Sequence, residues 1–162
     1  MITQSELKEV LNYDPDTGIF TWKISPAPQV KQNKIAGSLT SQGYIVITIN
    51  RKLYPAHRLA WLYVHGEMPK KFIDHINTIK SDNKLSNLRD ASRIKNGQNQ
   101  IKAHKNNISG FLGVTWYERT KSWVAKIKNN GKLIHLGYYK NPELAYESYL
   151  CMKRKIHEGC TI

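Results

Sequence analysis

Residues 98–108, QNQIKAHKNNI, carry no apolar periodicity, and this interruption limits the fold more than any other feature of the 162-residue chain. A polar, basic stretch of that kind cannot supply a core, so it reads as a linker. Each side must then close a small core of its own. The resulting division is 1–97 as a first module, 98–107 as a basic linker and 108–162 as a second module.

In the first module, Thr3 and Glu6 have the spacing of a capping box, which predicts a helix near residues 4–12. YDPDTG turns the chain into IFTWK, a strand. GYIVITINRKLYPAHR alternates on both sides of Asn50-Arg51 and reads as a hairpin. HRLAWLYVHG reads as a short helix stopped by Gly66, with Leu59, Trp61 and Leu62 in the core. KKFIDH is a strand, followed by a polar loop and a helix over about residues 93–101.

In the second module, GVTWY, SWVAKIK and KLIHLGYY are three strands, the last two joined at Asn129-Asn130-Gly131, a strong hairpin signal. PELAYESYLCMKRKIHEG is a helix with Pro142 at its start and Gly159 at its end. Leu144, Ser148 or Tyr149, Met152 and Ile156 recur at helical spacing and should pack on the sheet. Strand alternation turns Val114, Trp116, Trp123, Ala125, Ile127, Ile134, Leu136 and Tyr138 toward the helix, with both tryptophans in the core. Thr115, Tyr117, Val124, Lys126, Lys128, Leu133 and His135 then share the open face. The fold class is α+β: a mixed first module, then a three-stranded antiparallel sheet backed by one helix.

Charge narrows the partners. The formal net charge is +13. Basic side chains outnumber acidic ones 6 to 4 over residues 1–55, 10 to 4 over 56–106 and 9 to 4 over 107–162. An excess gathered in the last two thirds fits a polyanion. Cys151 and Cys160 have no CxxC spacing, so neither a zinc knuckle nor a disulfide framework is indicated. No apolar run reads as a signal peptide or a membrane span, so a reducing, cytoplasmic setting is expected.

One stretch carries chemistry: FIDHINTIKSDNKLSNLRDASRIKN, with Asp74-His75 directly behind an apolar run. A neutral histidine can take a proton from water near pH 7. A divalent ion can stabilise a leaving oxygen, and Mg²⁺ takes a few oxygen ligands while keeping several waters. Asp74, His75 and Asn96 supply one base and two oxygen ligands. Adjacent strand residues point to opposite sides, so Asp74 and His75 need a local twist or loop to converge. Asn77 and Asn83 read as loop formers. His57 and Arg58 fit either phosphate contact or helix packing.

HRLAW, FIDHIN and LSNLRDASRIKN together resemble an HNH endonuclease of the phage and intron-homing type, with its ββα-metal fold, over about residues 43–99. The resemblance implies that His75 is the general base, that Asp74 and Asn96 bind the metal, and that Asn87 holds the metal loop and orients His75. Asn96 stands where many members have His. An amide oxygen is a harder ligand than imidazole and favours Mg²⁺ or Mn²⁺ over Zn²⁺, with one ion per active site.

Gly113-Val114, WVAKI, Leu136-Gly137 and ELAY are similar to the AP-two/ERF-type DNA-binding domain, over about residues 108–158. That similarity implies a sheet that lies in the DNA major groove, here through Thr115, Tyr117, Lys126, Lys128 and His135. The usual arginines of that face are few in this chain. Lys102 and Lys105 of the linker are expected to neutralise phosphates.

These readings converge on a site-specific, metal-dependent endonuclease of homing type acting on double-stranded DNA, with no membrane and no small-molecule cofactor as partner. Oligomeric state is left open. The alternative is a non-catalytic DNA-binding regulator with a degenerate HNH fold, and the presence of all four motif positions argues against decay. An RNA-binding module fits the charge as well.

Overall fold

The computed structural model describes residues 2–161. Its backbone contacts separate the chain into two compact units, one ending at Asn96 and one beginning at Gly97.

In the first unit, helix α1 (Gln4–Val10) starts on a complete capping box: the Thr3 side chain accepts from Glu6 N–H and the Glu6 carboxylate accepts from Thr3 N–H. The chain then forms a hairpin of β1 (Leu11–Asp14) and β2 (Ile19–Trp22). A second sheet has the order β3 (Ser38–Leu39), β4 (Ile45–Ile49), β5 (Lys52–Pro55). The β4–β5 turn falls on Asn50 and Arg51, both at positive φ, which is the backbone that a tight two-residue hairpin demands. Helix α2 (Ala56–His65) follows and ends at Gly66. Its inner stripe, Ala56, Leu59, Ala60 and Leu62, joins Leu7, Leu11, Phe20 and Ile47 in one buried cluster. Trp61 is only partly buried against that cluster.

Strands β6 (Phe72–His75) and β7 (Leu88–Ala91) then pair antiparallel, and helix α3 (Arg93–Gln98) follows them. The order is ββα. Helix α3 stops short of the expected 101. Asn99 is buried instead, and its side-chain Oδ1 accepts from the Thr161 hydroxyl at 2.6 Å.

In the second unit, β8 (Val114–Tyr117), β9 (Ser122–Asn129) and β10 (Lys132–Tyr139) form a sheet of order β10-β9-β8, and helix α4 (Pro142–Ile156) packs on all three strands. Gly113 permits the close approach: at φ +78°, an added Cβ would lie 2.2 Å from the Tyr149 ring. Val114, Ala125, Ile127, Ala145 and Tyr149 make the buried core.

Three expectations for this unit are corrected. The strand register shifts between His135 and Gly137, and this bulge moves Tyr138 to the open face beside Val124 while Tyr139 packs inward. Trp116 is 41% exposed, its indole N–H donating to Glu118, whereas Trp123 packs on the core. Leu144 is exposed, and Ala145 takes its place on the inner stripe of α4, beside the expected Tyr149. Lys153 on that helix is fully buried, its ammonium donating to the Gln100 carbonyl. Gln98 accepts from Gly159 N–H, so residues 98–100 are tied by hydrogen bonds to Lys153 on α4 and to Gly159 and Thr161 beyond its end.

Candidate functional site

The β6–β7 register places Asp74 opposite Arg89 and His75 opposite Leu88. Asp74 is 6% exposed, and its Oδ2 accepts from Arg89 Nε at 2.9 Å and Nη2 at 2.7 Å. A buried carboxylate is costly without a paired, hydrogen-bonded cation, and Arg89 supplies one across the strand pair.

His75 is buried too, at the end of β6. Its Nε2 lies 3.4 Å from Asn83 Oδ1. Its ring stands edge-on to His57, with centroids 5.2 Å apart, and Tyr44 lies 6.1 Å away. Burial pushes the His75 imidazole below its ordinary proton affinity; the Asn83 bond and the Asp74 and Asp82 charges oppose that shift, and Lys80 adds to it. The net result is a neutral ring at pH 7.

The loop between the strands is held by asparagines. Asn87 Oδ1 accepts from Asn77 N–H at 2.9 Å, and Asn87 Nδ2 donates to the Asp82 carbonyl at 2.8 Å. Asn77 in turn bonds Asp82 Oδ2 at 2.7 Å and accepts from Ile79 N–H. Asn87, at the end of the loop that follows His75, thus ties its start and its middle together. Asn83, read from sequence as a turn former, is 2% exposed and touches the His75 ring. No sequence signal separated it from the other loop asparagines, because a buried acceptor and an Asx turn use the same residue type.

Asn96 sits half-buried on α3, its N–H donating to the Ser92 carbonyl. Among the described residues no group of three His, Cys, Asp or Glu side chains could hold a metal. The donors the motif offers are one carboxylate and one amide. That set suits a hard cation which keeps several waters and completes its shell with phosphate oxygens; it does not suit Zn²⁺. An ion at Asp74 would share the carboxylate with Arg89.

His57 belongs to the ring cluster, 5.5 Å from Tyr44 by centroids. Burial, then the neighbouring His75 and Arg58, lower its pKa to about 4, so it is neutral at pH 7 and not a cation for phosphate. Arg58 donates to the Pro69 carbonyl at 3.4 Å. Lys102 and Lys105 are exposed.

On the second unit, Thr115, Tyr117, Lys128 and His135 are exposed and Lys126 is half-buried. The register pairs Lys126 with His135, Lys128 with Leu133 and Thr115 with Val124, which puts all of them on one face. That face also holds Tyr138, 4.7 Å from His135 and 6.1 Å from Tyr117 by ring centroids. Arg119 lies over the Tyr117 ring at 5.7 Å. Tyr138 was not expected there, since the bulge in β10 overrides strict alternation, and Arg119 reaches the face from the turn at 118–120.

Residues 54–98 match the model of the HNH endonuclease family. That span includes Asp74, His75, Asn87 and Asn96. Among curated proteins, Protein 3.8 of Escherichia phage T7 is 34% identical over 77 residues, which span 47% of this chain and 63% of the phage protein. The chain therefore covers less than two thirds of that relative's length. No solved structure matches the chain at a significant level. No helix among the described residues is long and apolar enough to cross a membrane.

Proposed function

We propose that the chain is a metal-dependent, site-specific DNA endonuclease of the HNH homing type, with His75 as general base. One observation carries this reading. A buried, neutral imidazole follows the Asp74 carboxylate within the segment that matches the HNH endonuclease family. A neutral imidazole can accept the proton of an attacking water, and such a base contributes roughly 10²–10⁴ in rate. Asp74 and Asn96 are the residues that would hold a divalent ion, Mg²⁺ or Mn²⁺. When bound, that ion offsets the charge that develops on the phosphate and on the leaving oxygen. Arg89 fixes the Asp74 carboxylate. Asn87 fixes the loop beyond His75 through its bonds to Asn77 and Asp82.

The second unit is proposed as an AP-two/ERF-like DNA reader. The support is its three-stranded sheet with one backing helix, and an outer face that combines Lys126 and Lys128 with Tyr117, His135 and Tyr138. Cations contact phosphates while aromatic and polar side chains meet base edges or sugars.

A second reading, a DNA-binding regulator with a degenerate HNH fold, has its own support in the Arg89 guanidinium on the motif's only carboxylate. The test is the full chain with the DNA that flanks its own coding sequence and Mg²⁺, with cut ends mapped on both strands. Cleavage at a defined phosphodiester is expected. Bound but intact DNA in both Mg²⁺ and Mn²⁺ leaves the regulator reading standing instead.

A further inference from the structure

The segment YDPDTGIFTWK has no chemistry of its own, yet three contacts from it converge on the loop beside His75. The Tyr13 hydroxyl donates to the Asn83 carbonyl at 2.7 Å. The Pro15 carbonyl accepts from Leu85 N–H at 3.0 Å. Gly18 presses on the backbone between: a Cβ there would lie 2.4 Å from Lys84 N and 2.5 Å from Asn83 C, at φ +74°. Two hydrogen bonds and one close backbone approach thus land on consecutive residues 83–85. Tyr13 is itself buried, its ring tilted against Phe20 in the core with centroids 4.6 Å apart. The turn is therefore anchored in the core at its base and packed on the loop at its tip.

Asn83 then transmits this support to the imidazole. Its Nδ2 donates to the Ser81 carbonyl at 3.2 Å, which fixes the amide orientation and turns Oδ1 toward His75. An amide oxygen can only accept. With that acceptor 3.4 Å from Nε2, the geometry favours the His75 tautomer that carries its proton on Nε2.

We infer that Asn83 is a positioning residue that sets the orientation and tautomer of His75, and that the β1–β2 hairpin is the brace that holds Asn83 there. This rests on the reading of His75 as general base. The brace accounts for why an N-terminal hairpin distant in sequence is built against this loop. A base must be held within a fraction of an ångström and a few tens of degrees to work. A loop made of asparagine turns alone has no apolar anchor, and the hairpin provides one through Tyr13 and Phe20.

The test has two readouts on the full chain. The first is the ¹⁵N chemical shifts of the His75 ring nitrogens, recorded without metal or DNA. The second is kcat and KM for cleavage. For wild type a single Nε2–H tautomer is expected. Asn83→Leu, close in size but without an acceptor, should give mixed tautomers and lower kcat about tenfold with KM little changed, the equivalent of one oriented hydrogen bond. Asn83→Asp keeps the acceptor and should restore the Nε2–H tautomer. Tyr13→Phe removes only the hydroxyl and should shift both readouts in the direction of Asn83→Leu by a smaller amount. An unchanged His75 tautomer in folded Asn83→Leu overturns the inference, whatever cleavage does. Tautomer mixing in a protein whose His75→Ala variant still cuts supports the positioning and removes the base assignment.

Discussion

The loop of residues 76–87 and the outer face of the β8–β10 sheet are both polar, basic and rich in hydrogen-bonding side chains, yet they are built on opposite principles. The loop spends its polar groups internally. Asn77, Asp82, Asn83 and Asn87 bond one another, the backbone or His75, and Asn83 and Asn87 are buried. The sheet face spends its polar groups on solvent, with Lys128, His135, Tyr117 and Tyr138 exposed over an apolar core. A satisfied buried network fixes one geometry, because each unmade bond inside costs far more than a made one gains. An exposed face of long side chains can adapt to a partner. The first arrangement suits bond breaking and the second suits binding.

Substitutions can break this contrast at defined points. The largest effect is expected at Asp74. Asp74→Ala removes the carboxylate outright, and cleavage should fall at least about a hundredfold, since a lost metal ligand removes several kcal/mol of transition-state stabilisation. Rates measured across Mg²⁺ and Mn²⁺ concentrations would check this; an unaltered metal dependence removes Asp74 from the site.

Asn87→Ala comes next. It deletes two buried hydrogen bonds that clasp the loop and should lower stability by about 2–3 kcal/mol, with loss of cleavage following the loosened loop. Denaturant unfolding gives the number. A change below about 0.5 kcal/mol would mean that the loop holds itself without Asn87.

On the sheet, Lys126→Ala with Lys128→Ala should weaken DNA binding and flatten its salt dependence by up to about two units of slope, one per phosphate contact, while stability and cut position stay the same. Binding isotherms over a salt series decide it, and an unchanged slope takes these lysines off the DNA.

The smallest effect is a pH dependence of stability. The His57 pKa falls from its ordinary 6.5 to about 4 in the fold, so below pH 6.5 the unfolded chain binds a proton that the native ring refuses. Stability should therefore fall as pH drops from 6.5 toward 4, by at most about 1.4 kcal/mol per pH unit from this group. His57→Phe should flatten that slope between pH 6.5 and 5; an identical slope would mean that His57 titrates normally.

What was legible in the sequence follows the same contrast. Hairpins declare themselves through local turn chemistry, so Asn50-Arg51 and Asn130-Gly131 marked two of them, and Thr3 with Glu6 marked a helix start. Asp74 and His75 stood out because a pair of ionisable side chains directly behind an apolar run is uncommon. The partners of His75 did not. Asn83, His57 and Tyr44 reach it from separate segments, and no local pattern encodes a meeting that only the packed core creates. The Tyr138 error has a local cause of another kind: a bulge at Gly137 inverts alternation without altering composition. On α4, Tyr149 was legible from helical spacing, whereas Leu144 and Ala145 are neighbours in sequence and only the packed sheet shows which of the two faces inward.

The claim at the centre of this account is that His75 is a base that acts on water and not a residue that binds DNA. The direct measurement is nicking of supercoiled plasmid by His75→Ala beside wild type in Mg²⁺, with DNA affinity measured in parallel. Cleavage should drop roughly 10²–10⁴-fold while affinity stays nearly unchanged. A variant that cuts at the wild-type rate, or one that loses cleavage only in proportion to lost binding, would contradict it.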